Sequence, residues 1–297
     1  MDVHNITLVS TEVPMEMLSR FAATLQVQIM RDFAPFWNVG AAVAAVSNIA
    51  DVGRGAAPIF ISRIFDGPNE GVHKNPSGGL PMANVKLDDK WTVTTSHEAL
   101  EMLADPSCNR PFLAPSIDPE HAGEQVTYIA EVCDPVQGVP YQMENGALVA
   151  DFVTPAYYKV SGSSGPFAHH AALPGPLSIP PLGYITYFDI TNQWFQARNF
   201  GGGVQFIQGP VGGGPPPDVC AREFAHGIAE FQDRPRPFVT PEQVAKQRLY
   251  EEHDALARRR QAETLLAGSD VLRSLFAVET RSGSGRPARR NATRRRT

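Results

Sequence analysis

A chain of 297 residues, 42% of them hydrophobic and 19% charged, can bury one large core and is not disordered along its bulk. Its most apolar window, near Val39 to Ala50, is far shorter than the roughly 20 residues a bilayer helix needs, so no membrane span is expected. Three cysteines without a C-x-x-C spacing (Cys108, Cys133 and Cys220) exclude a disulfide framework and a thiolate zinc site, leaving at most one Cys108–Cys133 bridge.

Met1 to Asn5 lacks the basic and apolar regions of a signal peptide, which gives a cytoplasmic, soluble location as the expectation. Formal charge is −5 overall, yet Arg281 to Thr297 holds seven arginines and no acid. The sequence therefore reads as an acidic globule with a basic tail.

In chain order, Ile6 to Ser10 alternates and reads as an opening strand. From Pro14 to Phe33, Leu18, Phe21, Leu25 and Ile29 recur three or four apart, the spacing of a helix. The apolar runs Ala42–Val46 and Ile59–Phe65 suit buried strands, the second closed by Gly67-Pro68-Asn69. A Gly/Pro-rich loop leads to a strand over Leu80–Leu87 and then a helix over Trp91–Ala104, which must stop before Pro106. Downstream, Gln125–Val132, Ala147–Val153 and Tyr184–Ile190 are further strands.

Residues 160–220 concentrate proline and glycine. Gly212-Gly213-Gly214-Pro215 lacks the lysine of a phosphate loop, and Ser161-Gly162-Ser163-Ser164-Gly165 misses the spacing of a nucleophile elbow. Thr240-Pro241-Glu242-Gln243 is a capped helix start, opening a mostly charged helix to about Ala267. These elements divide the chain into 1–160, a loop-rich β region over 161–235, a helical segment over 236–278 and a disordered basic tail over 279–297.

Chemistry concentrates in the helix over 91–104. His97 and Glu101 stand four apart and share one face, within reach of a single metal ion. Glu98, one position on and turned by about 100 degrees, is placed to hold a metal-bound water as general base. This is the metallopeptidase H-E-x-x-H helix with glutamate for the second histidine, a harder and more anionic pair that loosens the preference for Zn2+ over other divalent ions. The competing reading of H-E-x-x-E is a solvated acidic face.

The block Ser96-His97-Glu98-x-x-Glu101-x-x-x-Asp105-Pro106, with Glu131-Val132-Cys133-Asp134-Pro135 and Val149-Ala150-Asp151-Phe152-Val153-Thr154-Pro155, resembles uncharacterised zincin-like proteins of bacteria and phages. The resemblance covers about residues 5–160 and is most specific at 91–106 and 131–135. It implies an α+β fold, with a twisted mixed sheet over an active-site helix and with Met82–Leu87 as an edge strand that pairs with extended substrate. In gluzincin-type sites the third ligand is a glutamate beyond the helix. Glu131 fits best, with Asp134 and Asp105 as alternatives, although Asp-Pro at a helix end also fixes turns.

His121 reads as a loop residue, and His169-His170 as exposed loop histidines. Tyr157 or Tyr158 is an oxyanion donor under the zincin reading and an aromatic packing residue otherwise. Function is expected to be zinc-dependent peptide hydrolysis through a metal-activated water. The alternative is a weakly active or inactive zincin-like scaffold in binding or assembly, with virion association if the chain is phage-derived. Expected partners are a peptide or protein substrate and no membrane, with self-association through the C-terminal helix. The arginines of the tail offer phosphate contacts, without a recognition module beside them.

Overall fold

The computed structural model describes residues 1–64, 70–74, 80–108, 110–191 and 193–209. The expected C-terminal helix, the basic tail and Cys220 lie outside these residues. Among the described residues no helix is long and apolar enough to cross a membrane.

The architecture is mixed α and β. Strands β1 (Asp2–Val9), β2 (Val39–Val46), β3 (Ala57–Ser62), β4 (Gly71–Lys74) and β5 (Met82–Lys86) form one sheet in the order β2-β1-β3-β5-β4. All neighbours are parallel except β4, which runs antiparallel to β5 at one edge. β3 alternates buried and half-buried residues, with Ala57, Ile59 and Ile61 turned to the core. That pattern is expected of a sheet covered on one face. The register carries the same face across the sheet, since Ile59 lies opposite Ala83 and Ile61 opposite Val85.

Helix α1 (Met15–Val27) buries Leu18, Phe21, Ala22 and Leu25, the stripe read from the sequence. The single helix expected to Phe33 instead loosens into a π-helical turn at Gln28–Phe33 and a short α2 (Ala34–Trp37). Side chains inside that turn bond elsewhere: Gln28 donates to the Ala150 carbonyl at 2.8 Å, and Asp32 accepts from the Tyr141 hydroxyl at 2.9 Å. Asn38, at φ 55°, closes α2 in the left-handed conformation and turns the chain into β2.

Helix α3 (Trp91–Ala104) is buried from Thr94 to its end and packs against β4 and β5. Leu100, Met102 and Leu103 join the main core, each contributing about 1.5–3 kcal/mol by leaving water. Phe21 of α1 and Trp91 of α3 meet edge to face at 5.0 Å, an aromatic contact between the two helices.

β6 (Pro111–Pro115) and β7 (Gln125–Ile129) open a second sheet, a small hairpin of β8 (Tyr141–Gln142) and β9 (Leu148–Val149) follows, and β10 (Tyr184–Phe188), β11 (Trp194–Asn199) and β12 (Val204–Gln208) complete the second sheet. Its order is β12-β11-β10-β7-β6, antiparallel throughout. The strands after residue 160 therefore share a sheet with strands before it.

Three strand expectations change. Met82–Leu87 is not an edge strand, because β5 is paired on both sides and β4 takes the edge. The strand expected to Val132 ends at Ile129, and Glu131 to Val136 folds inward as a turn. Only Leu148 and Val149 of the run 147–153 form a ladder. The rest is an extended strap, held where Ala150 N donates to Ser96 Oγ at 2.6 Å, Trp37 Nε1 to the Val153 carbonyl at 3.0 Å and Val153 N to the Val132 carbonyl at 2.8 Å.

Candidate metal centre

The strap explains why the three sequence blocks meet. It is hydrogen-bonded to α3 through Ser96 and to the 131–134 turn through Val132, so the acidic turn is held against the helix. Cys133 N donates to Glu101 Oε1 at 3.3 Å, tying the turn to the helix carboxylate itself.

On α3, His97 Nε2 lies 2.9 Å from Glu101 Oε1 and 3.1 Å from Asp134 Oδ1. The expected i, i+4 pair thus shares one face, and the face is core rather than solvent: Glu98 and Glu101 are 0% exposed and His97 4%. Glu131 and Asp134 are buried with them.

Sequence reasoning missed His73. It stands on β4 opposite Ala83, so its side chain takes the sheet face that carries Ala83 and Val85 toward α3. Nδ1 of His73 lies 3.3 Å from Glu98 Oε2 and 3.5 Å from Glu101 Oε2. Two positions along the strand, Gly71 occupies the same face. A Cβ there would sit 2.6 Å from Glu98 Oε1 and 2.5 Å from Thr94 Cγ2, so only glycine lets the edge strand lie this close to the helix. The available signal was a short alternating run, Gly71-Val72-His73-Lys74, between turn residues.

Among the described residues, two sets of donors lie close enough to share an ion, with ligand atoms within 4.8 Å of one another: His97, Glu101 and Cys133, and His73, Glu101 and Glu131. Imidazole nitrogen, carboxylate oxygen and thiolate sulfur are the donor types zinc takes, and the oxygen-rich share also suits manganese. Glu131 therefore groups with His73 and Glu101. Asp134 is the acid beside His97. Asp105 lies outside both sets, its carboxylate accepting the Arg110 amide at 2.6 Å and fixing the turn after α3.

Electrostatics follow from crowding. Burial pushes the Glu131 carboxyl well above its usual range, with Glu101 and Asp134 adding to the effect and His73 opposing it. Burial disfavours the His73 cation, but Cys108, Glu131 and Glu98 outweigh it and hold its pKa well above the ordinary imidazole value. Burial, then Glu101 and Asp134, raises the Cys133 thiol. Cys108 and Cys133 are thiols, not a disulfide.

Tyr158 is 2% exposed, stacks on Phe112 at 4.2 Å and carries a hydroxyl with no hydrogen-bond partner among the described residues. Burial pushes that hydroxyl's pKa well above the usual phenol value, with Tyr157 and then Glu131, Glu101 and Asp134 adding to the effect. Tyr157 donates to the Ser178 carbonyl at 3.2 Å. His121 sits in a partly exposed turn beside Glu124. His169 differs from the expected exposed loop residue: its ring stacks on Phe152 at 5.2 Å and lies 3.8 Å from Asp32.

No protein-family model, curated protein or solved structure matches the chain.

Proposed function

We propose that the chain is a zincin-like protein that holds a divalent metal ion, Zn2+ first among the choices, between α3 and the acidic turn, and uses it as part of a binding or assembly scaffold. The observation that carries this reading is the buried His97–Glu101 pair at 2.9 Å, with His73, Glu131 and Asp134 around it. Several carboxylates gathered in a low-dielectric interior repel one another, and a divalent cation is the simplest compensation. Support for the scaffold comes from closure: every donor on α3 and in the turn is less than 5% exposed, and Glu98 faces His73. A scissile peptide has to reach Glu98, and this packing puts helix, edge strand and turn in the way.

The second reading is a metallopeptidase. The spacing of His97, Glu98 and Glu101 favours it, and so does the buried Tyr158 hydroxyl near the acids. When bound, the ion supplies Lewis acidity and a water acidified to a pKa of about 7. In that reading Glu98 accepts the proton and passes it to the leaving amine, and Tyr158 donates to the developing oxyanion. Partners are then a peptide or protein substrate; in the scaffold reading they are assembly proteins.

Metal analysis of the purified full chain, alongside proteolysis of a broad peptide library, tests the proposal. A bound ion without hydrolysis supports the scaffold, and a bound ion with hydrolysis abolished by Glu98→Ala moves the assignment to the peptidase. A folded chain that takes up no Zn2+ or Mn2+ sinks both.

A further inference from the structure

The two oxygens of Glu101 face different histidines. Oε1 lies 2.9 Å from His97 Nε2, and Oε2 lies 3.5 Å from His73 Nδ1. His97 is also 3.1 Å from Asp134 Oδ1, and His73 is 3.3 Å from Glu98 Oε2. One carboxylate thus stands between two separate nests of nitrogen and oxygen donors. Resting on the metal-binding reading above, the geometry points to a dinuclear centre: one ion at His97 and Glu101 with the 133–134 turn, a second at His73, Glu101 and Glu131, and Glu101 bridging them.

The placing of the donors separates one ion from two. Glu98, Glu101, Glu131 and Asp134 are all buried in this one centre. Acids held this close out of water call for cations among them, and the two donor sets offer a place for one each. Carboxylate-bridged pairs stand about 3.5–4 Å apart, a separation that one side chain spans when each oxygen serves its own ion.

The second position does not depend on acids alone. His73 reaches it from a different element, the edge strand, and Gly71 on the same strand is shaped to admit the Glu98 carboxylate. The Tyr158 hydroxyl, buried in the same core and without a hydrogen-bond partner among the described residues, gives a further polar group in this interior.

The test uses the full chain, stripped of metal and reconstituted with Zn2+ alone, and counts ions per chain by native mass spectrometry and elemental analysis. Wild type is expected to hold two ions, and His73→Ala and Glu131→Gln one each. Loading with Mn2+ supplies a signature that a structural role for His73 cannot produce: an exchange-coupled pair spectrum in wild type, and an isolated six-line spectrum in His73→Ala. Should His73→Ala fail to fold by circular dichroism, Glu131→Gln carries the same comparison. One ion in wild type, or two retained in His73→Ala, overturns the dinuclear centre and leaves the metal-binding reading standing. No ion in a folded wild type defeats that reading as well.

Discussion

Glu101 and His97, one helical turn apart on α3, meet at 2.9 Å inside the core, where neither reaches bulk water. The same Glu101 oxygen accepts the Cys133 amide at 3.3 Å, so the carboxylate is oriented before any ion arrives. Glu101→Gln keeps the shape and the amide contact but removes the charge. Its Zn2+ affinity, by competition with a chromophoric chelator, should fall by more than the roughly 10–100-fold that loss of an outer partner costs. An unchanged affinity means the ion sits elsewhere.

Glu98→Gln separates the two uses of the centre. It should keep the ion at His97 and, for a scaffold, leave partner binding unchanged. For a peptidase, turnover on the peptide library should drop about 10²–10⁴-fold while metal at His97 persists.

Gly71→Ala pushes a methyl group against Thr94 and the Glu98 carboxylate, and the nearer approach is 2.5 Å. Over-packing of this kind costs about 1–3 kcal/mol. The melting temperature should fall, and metal uptake should weaken because His73 rides on the same strand. A melt identical to wild type contradicts the tight seating of β4 on α3.

Asp32 gives the pH dependence. Burial raises its pKa, but hydrogen bonds from Arg31, at 2.6 Å, and from the Tyr141 hydroxyl outweigh that and leave it below the usual carboxylate value. A carboxyl whose pKa is depressed by folding adds stability above its unfolded pKa and loses it as pH falls through the folded value. Asp32→Asn should therefore destabilise near neutral pH, by about 1.5–3 kcal/mol for a charge-assisted bond. The gap from wild type should close in acid. Chemical denaturation at several pH values reads this directly, and a gap that widens in acid reverses the assignment.

Tyr158 and Tyr141 are paired opposites. Tyr141→Phe removes a bond to Asp32 at 2.9 Å, whereas Tyr158→Phe removes a buried hydroxyl with no partner among the described residues. In metal-free protein the first should lower stability by about 1 kcal/mol. The second should leave it unchanged or raise it, since an unbonded buried hydroxyl is itself costly. Equal losses in thermal melts mean the Tyr158 hydroxyl is bonded after all.

What could be read from sequence divides along the line between local and non-local information. Helix α3 was legible over its whole length, because its apolar positions, the i, i+4 pair and Pro106 all lie within one segment. His73 was not. Its strand has four residues, and its importance comes from lying opposite Ala83 across the sheet, which no local pattern encodes. Glu131 and Asp134 were visible as acids after a strand, yet which histidine each would face depends on how the 131–134 turn folds inward beneath the strap. The π-helical turn at Gln28–Phe33 escaped for a similar reason: its helical periodicity is intact, and the long-range partners of Gln28 and Asp32 are what hold it.

Metal binding at this buried centre depends on Glu101 above all. Elemental analysis of the full chain after Zn2+ reconstitution and exhaustive dialysis, wild type beside Glu101→Gln, tests it most directly. Wild type should hold stoichiometric zinc and the variant should lose it, with both chains folded by circular dichroism. A folded wild type that emerges without zinc contradicts it.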